Sequence, residues 1–262
     1  MKHSLKKIIV GLACLGAVVL APVGATMTGN EVMQQVYTRP NGNNMSANLI
    51  MTLTNNRGST RERSIVQFRQ DDGAIEKKLM FFTAPADVRD TSFLNFSYSD
   101  GRSDDQWIYL PALKRVKRIA SDNTGDSFMG SDFTYDDMGE RHPSEDRHTI
   151  LRQETIDGWD VLVVESIPVD PKETYTRTVS WIVDGEWIGL KKEFYTADGK
   201  LGKTLGIDAF EKIDDIWVIT DMTMANVQKN TSTRIQMKDV SFNNELADSF
   251  FSERQMRIGP RT

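Results

Sequence analysis

A two-residue hydrophobic rhythm dominates this chain and restarts repeatedly after short polar breaks. In 45–53, Met45, Ala47, Leu49, Met51 and Leu53 share one side, while Ser46, Asn48 and Thr52 take the other. Alternation of this kind is the signature of a strand with one buried face. Similar runs follow at 61–70, 75–82, 94–98, 107–110, 160–167, 177–183, 189–195, 203–210, 216–227 and 232–242. Breaks such as Asn55-Asn56-Arg57-Gly58, Asp71-Asp72-Gly73, Asp184-Gly185 and Ala197-Asp198-Gly199 supply the turns. Many strands at short intervals, without helices between them, predict one large antiparallel sheet rather than βαβ units.

Apart from a helical turn within the loop 127–148, helical signals lie at the two ends. Thr28-Gly29-Asn30-Glu31 has the spacing of a capping box. Val32, Met33, Val36 and Tyr37 then share a helical face, and Pro40-Asn41-Gly42 stops it. Leu246–Met256 reads as a short helix or a closing strand.

Residues 1–25 read as an address. Lys2, Lys6 and Lys7 precede an apolar run from Ile8 to Ala21, and Pro22-Val23-Gly24-Ala25 closes it. The run is shorter than the ~20 residues a spanning helix needs, so a secretory signal peptide cleaved after Ala25 is expected. Cys14 lacks the leucine that a bacterial lipobox places three positions upstream, and it leaves with the leader. What remains, 26–262, reads as a single cysteine-free domain located outside the cytoplasmic membrane. A disulfide framework, thiol nucleophile or Cys-based zinc site is then excluded.

Charge and motifs narrow the function classes further. The whole chain carries a net charge of −5, and loss of the three leader lysines makes the remainder −8. That balance, with no long basic block, argues against nucleic-acid binding. G-x-S-x-G, G-x-G-x-x-G, G-x-x-x-x-G-K-[ST] and H-E-x-x-H are all absent. Residues 111–126 run from basic (Lys114, Arg115, Lys117, Arg118) to polar, and 127–148 mix aromatic with acidic residues. A stretch of this length without strand rhythm is often functional. His142 and His148 beside several carboxylates give this loop its one catalytic or metal-binding reading, a lipid-modifying hydrolase. Without a fixed ligand spacing or a nucleophile–base–orienter set, the expectation is no enzyme, no metal and no cofactor.

A sheet with so few helices to cover it must pack on itself or curl around something. Met45, Met51, Met80, Met129, Met222, Met224 and Met237, with Phe68, Phe81, Phe82, Phe96, Trp107 and Trp181, supply bulky apolar positions. Unbranched Met side chains can repack around irregular ligands. The pattern leaves a filled core and a ligand cavity both open.

Asp105–Arg118 (DQWIYLPALKRVKR), Ser127–Met138 (SFMGSDFTYDDM) and the ending Asn243–Phe250 (NNELADSF) resemble the LolA-like outer-membrane lipoprotein-sorting family. The likeness is to its longer branch, associated with inner-membrane exporters of the RND superfamily. The resemblance implies a mainly β fold: a single curved antiparallel sheet forming an unclosed β-barrel of about 11 strands under a short helical lid, LolA/LppX-like. It further implies a monomeric periplasmic carrier in a Gram-negative bacterium, binding lipid or lipoprotein acyl chains and partnered with an exporter. A periplasmic adaptor that carries no cargo is the alternative outside catalysis.

By the same resemblance Trp107, Tyr109 and Leu110 sit on a wall strand, and Met129 and Phe133 at the lid or mouth. Asp132, Asp136 and Asp137 then hold that loop. The strand pattern adds Leu49, Met51, Leu53, Val66, Phe68, Phe81 and Phe96 as wall residues. It leaves open which face is concave, because a one-residue slip exchanges the two sets.

Overall fold

The computed structural model describes residues 27–243 and 246–260. The leader expected over residues 1–25 lies outside the described residues. The capping box forms as the sequence predicts: Thr28 caps α1 (Gly29–Tyr37), accepting from the Glu31 backbone while Glu31 reaches back to the Thr28 N–H. α1 lies on the strand that begins at Asp146. A Cβ on Gly29 would stand 2.5 Å from the His148 backbone carbonyl, so only glycine permits this approach.

Thirteen strands make one antiparallel sheet among the described residues. The first arm runs β1 (Asn44–Thr54), β2 (Thr60–Asp71), β3 (Ile75–Ala84), β4 (Ser92–Tyr98), β5 (Asp105–Leu110) and β6 (Arg115–Arg118). The second runs β7 (Asp146–Ile156), β8 (Trp159–Pro168), β9 (Arg177–Val183), β10 (Gly189–Tyr195), β11 (Leu201–Ile213), β12 (Ile216–Asn226) and β13 (Thr231–Phe242). Each arm is a meander in which successive strands pair, and β1 against β13 joins the two. In that seam Leu49 faces Met237 and Met51 faces Ile235. β6 and β7 are the free edges, so the sheet is not closed. The family analogy implies about 11 strands; thirteen are present among the described residues, and the two that the rhythmic runs do not mark are these edges.

The chain passes from one edge to the other through residues 119–145, which form short 3-10 turns rather than strands. This connection reports the curvature of the sheet. Gln106 on β5 donates to the Tyr135 carbonyl at 2.8 Å, while Lys203 on β11 approaches Asp137 at 3.9 Å. β5 and β11 stand seven places apart in the sheet order, roughly 34 Å if the sheet were flat. Two residues of chain span no more than about 7 Å, and two side chains do not bridge the difference. The sheet therefore curls around the connection, which lies on its concave face.

Residues 248–258 fold as short helices. A 3-10 turn (Asp248–Phe250) and α2 (Glu253–Ile258) lay Phe250, Phe251 and Met256 against the opposite face of β2–β5. β2–β5 are thus covered on both faces.

Candidate functional site: the concave face and its covering segment

The inner wall comes from alternate residues of neighbouring strands. Leu49 and Met51 of β1, Ile65 of β2, Met80 and Phe82 of β3, Phe93 of β4, Met224 of β12 and Ile235 of β13 form one buried apolar cluster. Segment 128–138 closes over them. Phe128, fully buried, stands with its ring 5.1 Å from that of Phe93 and 6.0 Å from that of Phe82. Phe133 and Met138 join the same cluster, with Tyr135 edge-on to Phe128 at 5.5 Å.

Polar contacts hold this segment at its margins. Asp132 accepts from the Thr231 hydroxyl and, at 2.9 Å, from the Thr233 hydroxyl, while its own N–H donates back to Thr233. Thr233 is fully buried in the wall, beside Ile235 on the same strand face. Arg63 donates to the Met129 carbonyl, and Lys78 to that of Met138 at 3.1 Å. Within the segment Asp137 accepts from the Thr134 N–H and hydroxyl at 2.7 and 2.8 Å, fixing the turn that faces Lys203. Burial lowers the Lys203 pKa, partly offset by Asp137 and Asp132. Asp136, itself exposed, opens the 3-10 turn (Asp136–Met138), its N–H bonded to the Thr124 carbonyl. Met129 adopts a left-handed backbone conformation at the tip.

A second anchor follows. Glu140 lies beside Glu76 of β3 and donates its N–H to the Ser97 hydroxyl at 3.2 Å, and the Glu76 carboxylate is buried between Arg69 and Lys78 at 3.0 and 3.3 Å. Burial, and then the charge on Glu76, push Glu140 up to about 7. Burial also opposes ionisation of Glu76, but Lys78 and Arg69 outweigh it and keep its pKa below the usual glutamate value.

The residues expected to line one cavity do not share a face. Leu49, Met51 and Leu53 lie on the concave side, with Met129 and Phe133 packed against them from the segment. Val66, Phe68, Phe81, Phe96, Trp107 and Tyr109 lie on the opposite side, beneath Phe250, Phe251 and Met256. Leu110 ends β5 opposite Arg115 and joins neither group. The reason is the pleat: Ile65, Met80, Phe82 and Phe93 point inward, so their neighbours point out. Sequence reasoning missed these inward residues. On β2–β4 both faces are apolar, and alternation there marks two sets without ranking them. The C-terminal pair Phe250-Phe251 was the signal that one set was already taken.

The two histidines of the 127–148 stretch are occupied structurally. His142 Nδ1 caps the 3-10 turn (Pro143–Glu145), accepting from the Ser144 N–H. His148 joins the Ser166 hydroxyl at 2.8 Å to the Pro143 carbonyl at 2.9 Å, and burial lowers its pKa. Ser166 is itself buried. Among the described residues no group of three or more His, Cys, Asp or Glu converges as a metal site.

An unclosed, curled sheet with an apolar inner face under its own covering segment defines the LolA-like class of fold. A domain from Vibrio parahaemolyticus assigned to outer membrane lipoprotein sorting is similar at 36% identity and a TM-score of 0.82, over 87% of this chain and 98% of that one. A DUF1329 family protein from Desulfovibrio piger gives 27% identity and the same TM-score, over 87% and 97% of the two chains. A LolA superfamily protein from Nitrosomonas europaea, at 18% identity and a TM-score of 0.68 over 88% and 100%, shares the fold. A family model described as an uncharacterized protein matches residues 75–258, and no curated protein matches the chain. The chain belongs to the DUF1329 family, in the same family as the Vibrio domain, and has the LolA-like fold.

Proposed function

We propose that the chain is a monomeric periplasmic carrier that takes up a lipid or lipoprotein acyl chain on its concave face. It passes this cargo between the inner and outer membranes in partnership with an inner-membrane RND-superfamily exporter. The observation that supports the reading is the nature of the cover. The inner wall is apolar, yet the segment over it is a connection of short turns held by polar bonds at its rim, not a paired strand or a long helix. Such a cover can leave without unpairing the sheet.

The energetics suit exchange. Each buried methylene is worth ~0.8 kcal/mol, so a sixteen-carbon chain is worth roughly 13 kcal/mol on burial. Exposing Phe128, Phe133 and Met138 costs about 1.5–3 kcal/mol apiece, which a full acyl chain offsets and a short one does not. Release then needs the segment to return or a partner to receive the cargo. Binding and release require no bond making, consistent with histidines engaged in capping and packing.

The leader-like residues 1–25 and the family support the periplasmic part of this reading. Mass spectrometry of organic extracts from natively purified protein tests the carrier reading, and co-purified acyl lipid is the expected result. Protein that is empty and also fails to bind a fluorescent fatty acid would overturn it. Cross-linking in cells tests the exporter, with an RND-superfamily protein as the expected adduct.

A further inference from the structure

The free edge at β6 carries a surface that neither the inner wall nor the covering segment uses. The β5–β6 hairpin turns through Pro111–Leu113, and Leu113 stands 63% exposed at its tip. Lys114, Arg115 and Lys117 follow it, all exposed and without a salt bridge among the described residues. Arg118, next on the edge, pairs with Asp105.

α2 brings a second set to the same place. A groove of about 320 Å³ has Tyr109 and Pro111 on its hairpin side and Arg257 and Ile258 on its helix side. Ile258 is 50% exposed, and Arg254 lies one turn before it on the same helical face. Arg257 pairs with Glu253, and Asp90 is the acidic residue on the groove itself.

Leu113 thus stands exposed beside Lys114, Arg115 and Lys117 on the sheet edge, and Ile258 stands exposed beside Arg254 and Arg257 on the outer face next to it, on a chain whose net charge is −5. A run of unpaired cations at one edge of an acidic protein orients that edge toward a negative surface. Exposed Leu and Ile within it gain by entering an acyl boundary, whereas a soluble acidic partner would use the charge and leave them wet. Edge strands commonly carry lysine to deter pairing, which accounts for charge on β6 but not for the bare Leu113 or for the cations on α2.

We infer that the β5–β6 tip and the adjoining end of α2 form a docking surface for an anionic phospholipid bilayer, with Leu113 and Ile258 entering the headgroup region. The assignment stands on this surface alone and does not depend on what the concave face carries. Co-sedimentation of the full chain with vesicles of phosphatidylglycerol and phosphatidylcholine, against phosphatidylcholine alone, tests it.

Binding should require phosphatidylglycerol and fall as salt is raised. Each cation removed should weaken it about fivefold, so Lys114→Ala, Arg115→Ala and Lys117→Ala together should lose more than a hundredfold. Leu113→Ser should weaken binding at unchanged charge. These side chains are exposed, and unchanged fatty-acid probe binding would show that the variants remain folded; for a chain that binds no probe, circular dichroism serves instead. Absent sedimentation, equal binding to neutral vesicles, or a triple variant that binds like the parent would overturn the inference. So would a concentration-dependent dimer abolished by Leu113→Ser, which would assign the tip to a second copy of the chain.

Discussion

Removing the Asp132 carboxylate should release the covering segment without unfolding the sheet. In Asp132→Ala the hydroxyls of Thr231 and Thr233 lose their acceptor, and Thr233 is fully buried and cannot turn to water. Hydrogen bonds to a charged group contribute about 1.5–3 kcal/mol each, and the half-exposed Thr231 bond stands at or below the low end. The retained backbone N–H of Asp132 keeps part of the contact. A combined loss of about 2–4 kcal/mol follows, which multiplies the opening equilibrium by roughly 30 to 700. Hydrogen exchange reads this directly at the amides of Phe128 and Ser131, which are bonded within the segment to Phe133 and Phe128. Their exchange should accelerate by that factor while β8 and β9 stay protected. If opening precedes uptake, affinity for a fluorescent fatty acid should rise in parallel. Uniform acceleration over the whole sheet, or none in the segment, would refute the idea that Asp132 is a latch.

Three further outcomes are expected. Because Glu140 is raised to about 7 from 4.5, the folded state keeps a proton that the unfolded state loses between those values, so its contribution is full below about pH 4.5 and is lost as pH rises through 7. Glu76 is shifted the other way and loses its contribution only in stronger acid; denaturant titrations between pH 5 and 8 should therefore show a decline that Glu140→Gln flattens. Gly29→Ala drives a methyl group into the His148 backbone and should cost about 1–3 kcal/mol in the same assay, with α1 lifted from β7. Phe250→Ala removes a ring packed 4.9 Å from Phe68 and should cost about 3–5 kcal/mol, yet leave fatty-acid affinity unchanged because it empties the outer layer and not the concave face.

How much of this was legible in the sequence depends on what each strand buries. The eleven rhythmic runs all became strands, because burial on a face writes its period into the side chains. β6 and β7 lacked that rhythm for a physical reason: they are the edges. All four side chains of β6 (RVKR) stay at least partly in solvent, and β7 alternates between exposed and half-exposed positions with no buried face to mark. Inner and outer walls could not be ranked on β2–β4, since Leu79 and Phe81 are as apolar as Met80 and Phe82. The acidic stretch 132–137 was legible as a special loop. That Asp132 would reach Thr233, a hundred residues away, was not, because a Thr in a strand pattern carries no label for its partner.

The two-armed topology also sets an order of assembly. One strand pair, β1 with β13, unites the arms, and its partners lie some 180 residues apart in the chain. Until Thr231–Phe242 has been synthesised, the first arm keeps a bare row of N–H and C=O groups along β1 and an uncovered apolar face. Closing so long a loop is entropically costly and slow, and an unpaired strand edge is a template for aggregation. The last strand to emerge thus governs when this protein becomes safe from its neighbours, and a chain truncated before residue 231 should aggregate rather than form half a barrel.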